Sequence, residues 1–240
     1  MTVSQLEKEL NAARDPKQAK LLQRFFKTGP GEYGHGDIFL GIMVPIQRKI
    51  VGKYVDLSFP EIQRLLNSKV HEHRFCALVI LVSKYKKAND AEKKKIFDFY
   101  IKNSKKINNW DLVDTSAPQI VGEYLLNRDP STPLRTSKKI LYKFAKSKDL
   151  WQRRIAVLGT FTFIREREYG DSLKIAAILL KDKHDLIHKA VGWMLREIGK
   201  RNKQIEIKFL EKYAGKMPRV MLRYAIEKFS KKERVYFLNK

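Results

Sequence analysis

Trp110 and Asp114, in the stretch Asn108-Asn109-Trp110-Asp111-Leu112-Val113-Asp114, stand one helical turn apart. A helix here presents an indole and a carboxylate on one face. The chain around them carries 50 Lys and Arg against 26 Asp and Glu, a formal charge of +24. Phosphate binding has no use for an acid at such a place. A negative charge beside a large aromatic, on a surface otherwise built to attract anions, makes catalysis one reading of the pair. Helix physics offers a second account of Asp111 and Asp114, because acids in a first turn after an Asn cap complement the macrodipole.

A second constellation lies in residues 184–200. Ile187, Ala190, Val191, Met194, Leu195 and Ile198 form an apolar stripe suited to burial. Lys189, Trp193, Arg196 and Lys200 form another, at i, i+4, i+7 and i+11. Cations one or two turns apart with an indole between them suit a sugar-phosphate backbone and its adjacent sugar or base. The alternative is that Trp193 belongs to the core and the cations are a solvated face. Trp151-Gln152-Arg153-Arg154 opens a further basic helix, and one of its two arginines is expected to face the same groove. Arginine's planar fork grips phosphate through two parallel hydrogen bonds.

Other motifs carry less. Gly29-Pro30-Gly31-Glu32-Tyr33-Gly34 spells G-x-G-x-x-G, but a helical stretch precedes it where a dinucleotide site needs a strand. It reads as a loop whose backbone N–H groups could meet a phosphate. His71 and His73 point about 200° apart on a helix, so with Cys76 they do not share an ion. His184 and His188 share a face but lack a third ligand nearby. Structural roles are expected for both sets, and no metal or cofactor. Cys76 is the single cysteine, which excludes an internal disulfide and a multi-cysteine zinc site.

The elements that must position these residues are helical almost throughout. The periodicity predicts helices over 3–14, 16–27, 45–54, 60–67, 71–86, 90–103, 110–126, 134–146, 150–165, 170–180, 184–200, 203–213 and 218–229. Asp15-Pro16, Phe59-Pro60, Asp129-Pro130 and Met217-Pro218 mark breaks, with a glycine cluster at 29–41. Ala77, Ala117, Ala156, Ala190 and Ala225 recur at intervals of 40, 39, 34 and 35 residues. That spacing, with two helices per unit, predicts an all-α, HEAT-like helical-repeat solenoid, a single domain over 1–240 with a concave basic face. A non-repetitive helical domain is the alternative.

Charge points to the partner. Residues 131–240 hold 28 Lys and Arg against 11 Asp and Glu, and residues 1–130 hold 22 against 15. Such a field attracts polyanions, nucleic acid first and an acidic membrane surface second, and mainly to the C-terminal half. A Lys-rich composition also serves solubility alone. No apolar run approaches the roughly 18 residues that a membrane span needs. The polar N-terminus lacks a signal peptide's apolar core, so a cytoplasmic, nucleoid-associated monomer is expected.

At these residues the chain resembles the AlkD-type family of DNA alkylation-repair glycosylases. The likeness covers most of the chain. It runs from Phe25-Phe26-Lys27-Thr28-Gly29-Pro30-Gly31-Glu32-Tyr33-Gly34 and Phe39-Leu40-Gly41-Ile42 through Trp110-Asp111-Leu112-Val113-Asp114 and Trp151-Gln152-Arg153-Arg154 to Lys189-Ala190-Val191-Gly192-Trp193-Met194-Leu195-Arg196-Glu197. The resemblance implies a stack of helical pairs around duplex DNA. It also implies base excision repair by hydrolysis of the N-glycosidic bond of cationic N3- or N7-alkylated purines, without metal or cofactor. It places the catalytic aspartate at Asp114, sugar-contacting tryptophans at Trp110 and Trp193, and a catalytic-site arginine at Arg154. DNA contacts fall to Lys189, Arg196 and Lys200, with Arg153 and Phe25 beside them. One departure stands out: a tyrosine that packs at the lesion in the characterised type is Phe25 here. Two other readings stay open, a non-catalytic protein binding damaged or branched DNA, and a HEAT scaffold for an acidic protein.

Overall fold

Side-chain caps set many of the helix starts. Thr2, Ser58, Asn89 and Ser230 each begin a helix through a capping box, with Gln5, Glu61, Glu92 and Glu233 as the returning partners. Asp15 and Asp149 each accept from two backbone N–H groups of the turn they open. A computed structural model describes residues 1–126 and 138–240. Among the described residues the extended pairing is one isolated bridge, Ile38 with Val70.

The chain folds as two compact units, Met1–Ser116 and Ala117–Lys240. The first contains α1 (Val3–Ala12), α2 (Pro16–Phe25), α3 (Val44–Val51), α4 (Phe59–Leu66), α5 (His71–Lys87), α6 (Asp90–Lys102) and most of α7 (Trp110–Ala117). Helix α5 is its centre, packed by α3, α4 and α6, and every residue from His71 to Leu81 is buried. The second contains α8 (Glu123–Leu126), α9 (Lys139–Ala145), α10 (Leu150–Gly159), α11 (Phe161–Arg165), α12 (Gly170–Ile178), α13 (Asp185–Arg201), α14 (Lys203–Tyr213), α15 (Arg219–Ala225) and α16 (Lys231–Leu238). Here α13 is central, against α10, α14 and α15. Its expected apolar stripe, from Ile187 to Ile198, is buried throughout. Gly192 lets α15 approach, because a Cβ there would overlap the Met221 carbonyl and Tyr224.

The all-α expectation and the helical pairing are found, with local corrections. The helix expected over 110–126 widens into a π turn at Pro118–Gly122. Pro118 has no N–H for the carbonyl one turn back, at Asp114, and its ring crowds that carbonyl. The helix expected over 150–165 breaks at Thr160, whose hydroxyl donates to the Val157 carbonyl at 2.7 Å. Helix α16 was not expected, although Ser230-Lys231-Lys232-Glu233 is a capping-box sequence. The Asp129-Pro130 break and the start of the 134–146 helix lie outside the described residues.

The repeat is visible in hydrogen bonds. Arg74 donates back to the Ser68 carbonyl at 2.8 Å, and Arg153 donates to the Ser147 carbonyl at 3.0 Å. Ser68 and Ser147 each accept from the N–H two residues on, at 3.1 Å in both cases. Asp37 pairs with Arg74 at 2.7 Å, and Asp182 with Arg153 at 2.5 Å. These two turns lie two alanine intervals apart. One interval of 40 residues after Arg74 stands Asp114, an acid at a position where both flanking copies carry an arginine.

One buried acid sets a pH limit on the second unit. Glu206 is 1% exposed, and its carboxylate fills the space where Gly199 has no side chain. Burial pushes its pKa up to about 8, against the pull of Lys203 and Arg196. A folded-state pKa above the unfolded value means stability is lost as pH rises from the ordinary carboxylate range through about 8. Glu206→Gln, neutral at every pH, is therefore expected to leave Tm unchanged at about pH 4, below the unfolded carboxylate value. At pH 9 it should stabilise by on the order of 2 kcal/mol, roughly 4–8 °C in Tm, which thermal melts at the two pH values would read.

Candidate active site

Helix α7 begins at Trp110, whose N–H donates to the Asn109 side-chain oxygen at 2.8 Å. The half-buried indole lies against a small apolar cluster of Ala19, Leu22, Phe26 and Phe39. It stacks on Phe26, with centroids 5.2 Å apart and planes at 11°. Phe25 meets it edge-on at 5.9 Å and is 63% exposed, so an aromatic ring stands in solvent beside Trp110. The structure thus brings Phe25 and Trp110 together, and Asp114 follows one turn along the same helix, half-buried. Beneath that turn is the fully buried Tyr100, whose hydroxyl pairs with Ser116 at 2.9 Å. Burial, and then the nearby charge of Asp114, push this phenol up, while the Ser116 bond works the other way. It stays protonated.

Asp111 has a different occupation. Its carboxylate takes the Nε2 of buried His71 at 2.8 Å, and Asp37 takes the Nδ1 at 3.2 Å. The helix-dipole account of these acids is therefore incomplete for Asp111, which is half of a buried ion pair. His71 and Asp111 are one repeat interval apart, 40 residues, and occupy equivalent places on successive repeats. The interval of 40 residues that relates them is legible in the sequence. His73 bonds the Ser68 hydroxyl at 3.0 Å, and Cys76 lies 3.9 Å from Gln47.

Part of the glycine loop's amide set is taken up within the protein. Gly29 donates to Glu32 at 2.8 Å and Gly34 to the Lys27 carbonyl at 3.0 Å. The N–H groups of Leu40, Gly41 and Ile42 converge on the buried carboxylate of Glu72 at 2.8–3.3 Å. Gly41, at φ +86°, allows this turn, and a side chain there would strike the Asp15 carbonyl.

In the second unit, Arg154 is buried and donates Nη1 to the Leu186 carbonyl at 2.6 Å, tying α10 to the first turn of α13. Arg153 is held by Asp182 and by the carbonyls of Ser147 and Lys148. Trp193 is half-buried, tilted against Phe161 at 5.7 Å, so it is neither core nor free surface. The cations expected beside it lie along its helix, but each has an acid partner. Lys189 pairs with Asp185 at 2.8 Å, Lys200 with Glu197 at 2.6 Å, and Arg196 with Glu227. Sequence reasoning missed these partners. His184 caps α13, its Nδ1 accepting from Leu186 N–H at 3.1 Å, and His188 bonds the Asp182 carbonyl at 2.5 Å.

Among the described residues no group of three His, Cys, Asp or Glu side chains could hold a metal ion, and no helix is long and apolar enough to cross a membrane.

A family model described as DNA alkylation repair enzyme matches residues 6–229. Three solved structures share the fold. A predicted DNA alkylation repair enzyme from Enterococcus faecalis has a TM-score of 0.68 at 16% identity, covering 91% of this chain and 97% of its own. AlkD2 from Streptococcus mutans has a TM-score of 0.56 at 18% identity, with 95% and 97% covered. The protein smu.31 from Streptococcus mutans UA159 has a TM-score of 0.53 at 17% identity, with 93% and 94% covered. No curated protein matches the chain.

Proposed function

We propose, for a chain that belongs to the DNA alkylation repair enzyme family, that it is a DNA glycosylase releasing cationic N3- or N7-alkylated purines from duplex DNA. The observation that carries this reading is the face of α7. An indole braced by Phe26, with exposed Phe25 at its edge, stands one turn from a carboxylate that occupies an arginine's place in the repeat.

An alkylated purine already carries positive charge, so it leaves with the electron pair of the C1′–N bond as a neutral base. It needs little help from a general acid. The sugar becomes oxocarbenium-like, and Asp114 stabilises that charge and positions the water that adds to C1′. The water's proton passes to the carboxylate or to solvent. Trp110 offers an aromatic face to the cationic sugar and excludes bulk water, the role that the family resemblance also gives to Trp193. Lys189, Arg196 and Lys200 engage the phosphate backbone, with Arg153 and Arg154 setting the start of their helix. Phe25 packs at the lesion without a hydroxyl to donate.

Release of free 7-methylguanine from a methylated duplex, followed chromatographically, tests the reading. Release above the spontaneous rate is expected. Tight duplex binding without release would make the protein a damage-binding module, and competition by an acidic protein but not by DNA would make it a scaffold.

A further inference from the structure

Four rings join the interior of the first unit to Trp110: His71, Phe39 and Phe26 form a triangle, with His71 and Phe26 5.0 Å apart and tilted at 41°, and Trp110 stacks on Phe26. His71 lies on Phe39, with centroids 4.5 Å apart and planes at 18°. Phe39 lies on Phe26 at 4.9 Å and 25°, and Phe26 on Trp110 at 5.2 Å and 11°. At the buried end, both ring nitrogens of His71 face carboxylates, Asp37 at 3.2 Å and Asp111 at 2.8 Å. A neutral imidazole has one donor and one acceptor nitrogen, so only the imidazolium satisfies both acids. Arg74, 2.7 Å from Asp37, completes a set of two cations and two anions. Asp111 is the residue next to Trp110. The same imidazolium therefore reaches the indole twice, through Phe26, which touches both rings, and through the first turn of α7.

We propose that His71 is the positioning residue for Trp110, fixing the indole's plane without touching substrate. The kinetic consequence rests on the reading of Trp110 as a sugar-contacting face, and the structural one does not. The charged groups facing His71 are Asp37 from the loop before α3, Arg74 from α5 itself and Asp111 from α7. The remaining sides contribute the rings of Phe26 and Phe39. Burial alone would push the imidazole down, but Asp111 and Asp37 outweigh it and Arg74, and raise the pKa to about 9. Above that pH the ring has one donor left, so one carboxylate loses its bond to His71; Asp37 keeps Arg74, whereas loss of the Asp111 bond frees the start of α7 from α5.

The experiment is a pH titration of the full-length protein by NMR, reading the His71 ring and the Trp110 indole N–H, the latter assigned with Trp110→Phe. Both are expected to move with a common midpoint near 9. In His71→Gln the indole resonance should stay at its high-pH position. That variant should also release 7-methylguanine about tenfold more slowly at neutral pH and lose the alkaline limb of the parent's profile. A His71 midpoint near the ordinary value of about 6.5, or an indole resonance flat through the His71 transition, overturns the proposal. The parent titration decides this even if His71→Gln does not fold. An indole that follows His71 in a protein releasing no base sustains the positioning role and removes the glycosylase reading.

Discussion

Asp114→Asn is expected to slow 7-methylguanine release by about 10²–10³-fold, with duplex affinity unchanged. The substitution keeps the shape and removes the charge, so it separates the two physical accounts of this acid. As a helix-dipole acid, Asp114 would be worth about 0.3–1 kcal/mol of stability and nothing in rate. As the group that meets a developing oxocarbenium ion, its charge acts in the transition state and not in the ground state. The rate constant then falls while binding holds. Asp111, not Asp114, is the acid in the first turn of α7, which weakens the first account. Asp114 sits above a buried, protonated Tyr100, in a turn whose regular bonding is interrupted by Pro118. Single-turnover release on a fixed methylated duplex, with affinity measured alongside, is the test. Release by Asp114→Asn at the parent rate would remove Asp114 from the chemistry.

Much of the fold was legible because a repeat writes its period into the sequence. The alanine intervals and the buried stripe on α13 follow from local pattern alone. So does the face shared by Trp110 and Asp114. The site was less legible, because its determinants are contacts between residues far apart in the chain. Asp37 with His71, His71 with Asp111, and Glu227 with Arg196 are separated by 34, 40 and 31 residues. Helical periodicity says which face a residue lies on and nothing of what it meets there. Arg153 and Arg154 show this most plainly, since neighbouring arginines of equal chemistry tie down different turns, one through Asp182 and one through the Leu186 carbonyl. The repeat register could have supplied part of this. Shifted by 40 residues, His71 falls on Asp111 and Arg74 on Asp114, an opposite charge in each case. Roles beyond that came from family resemblance, not from residue physics.

Duplex affinity is expected to fall about 40-fold between 50 and 200 mM salt. The figure assigns one phosphate to each of Lys189, Arg196 and Lys200, for a slope of about −2.7 in log affinity against log salt. The ion pairs refine the expectation. Each cation is compensated in the free protein by Asp185, Glu227 or Glu197, and a phosphate must displace or share that carboxylate. Lys189–Asp185 is an exposed pair worth about 0.2–1 kcal/mol, so its loss costs little against a DNA backbone, while Glu197 is buried and also holds Arg201. Glu227→Gln is therefore expected to tighten binding at low salt while leaving the slope near about −2.7, since Arg196 already counts as one phosphate contact and then enters uncompensated. Arg196→Gln should weaken binding and flatten the slope by about 0.9. Fluorescence anisotropy on an undamaged duplex across salt concentrations reads all three proteins, free of any assumption about catalysis. A flat salt dependence in the parent would exclude backbone binding by this helix. Weaker binding in Glu227→Gln would mean that Glu227 aims Arg196 at the phosphate, so the carboxylate would be part of the grip and not a competitor for it.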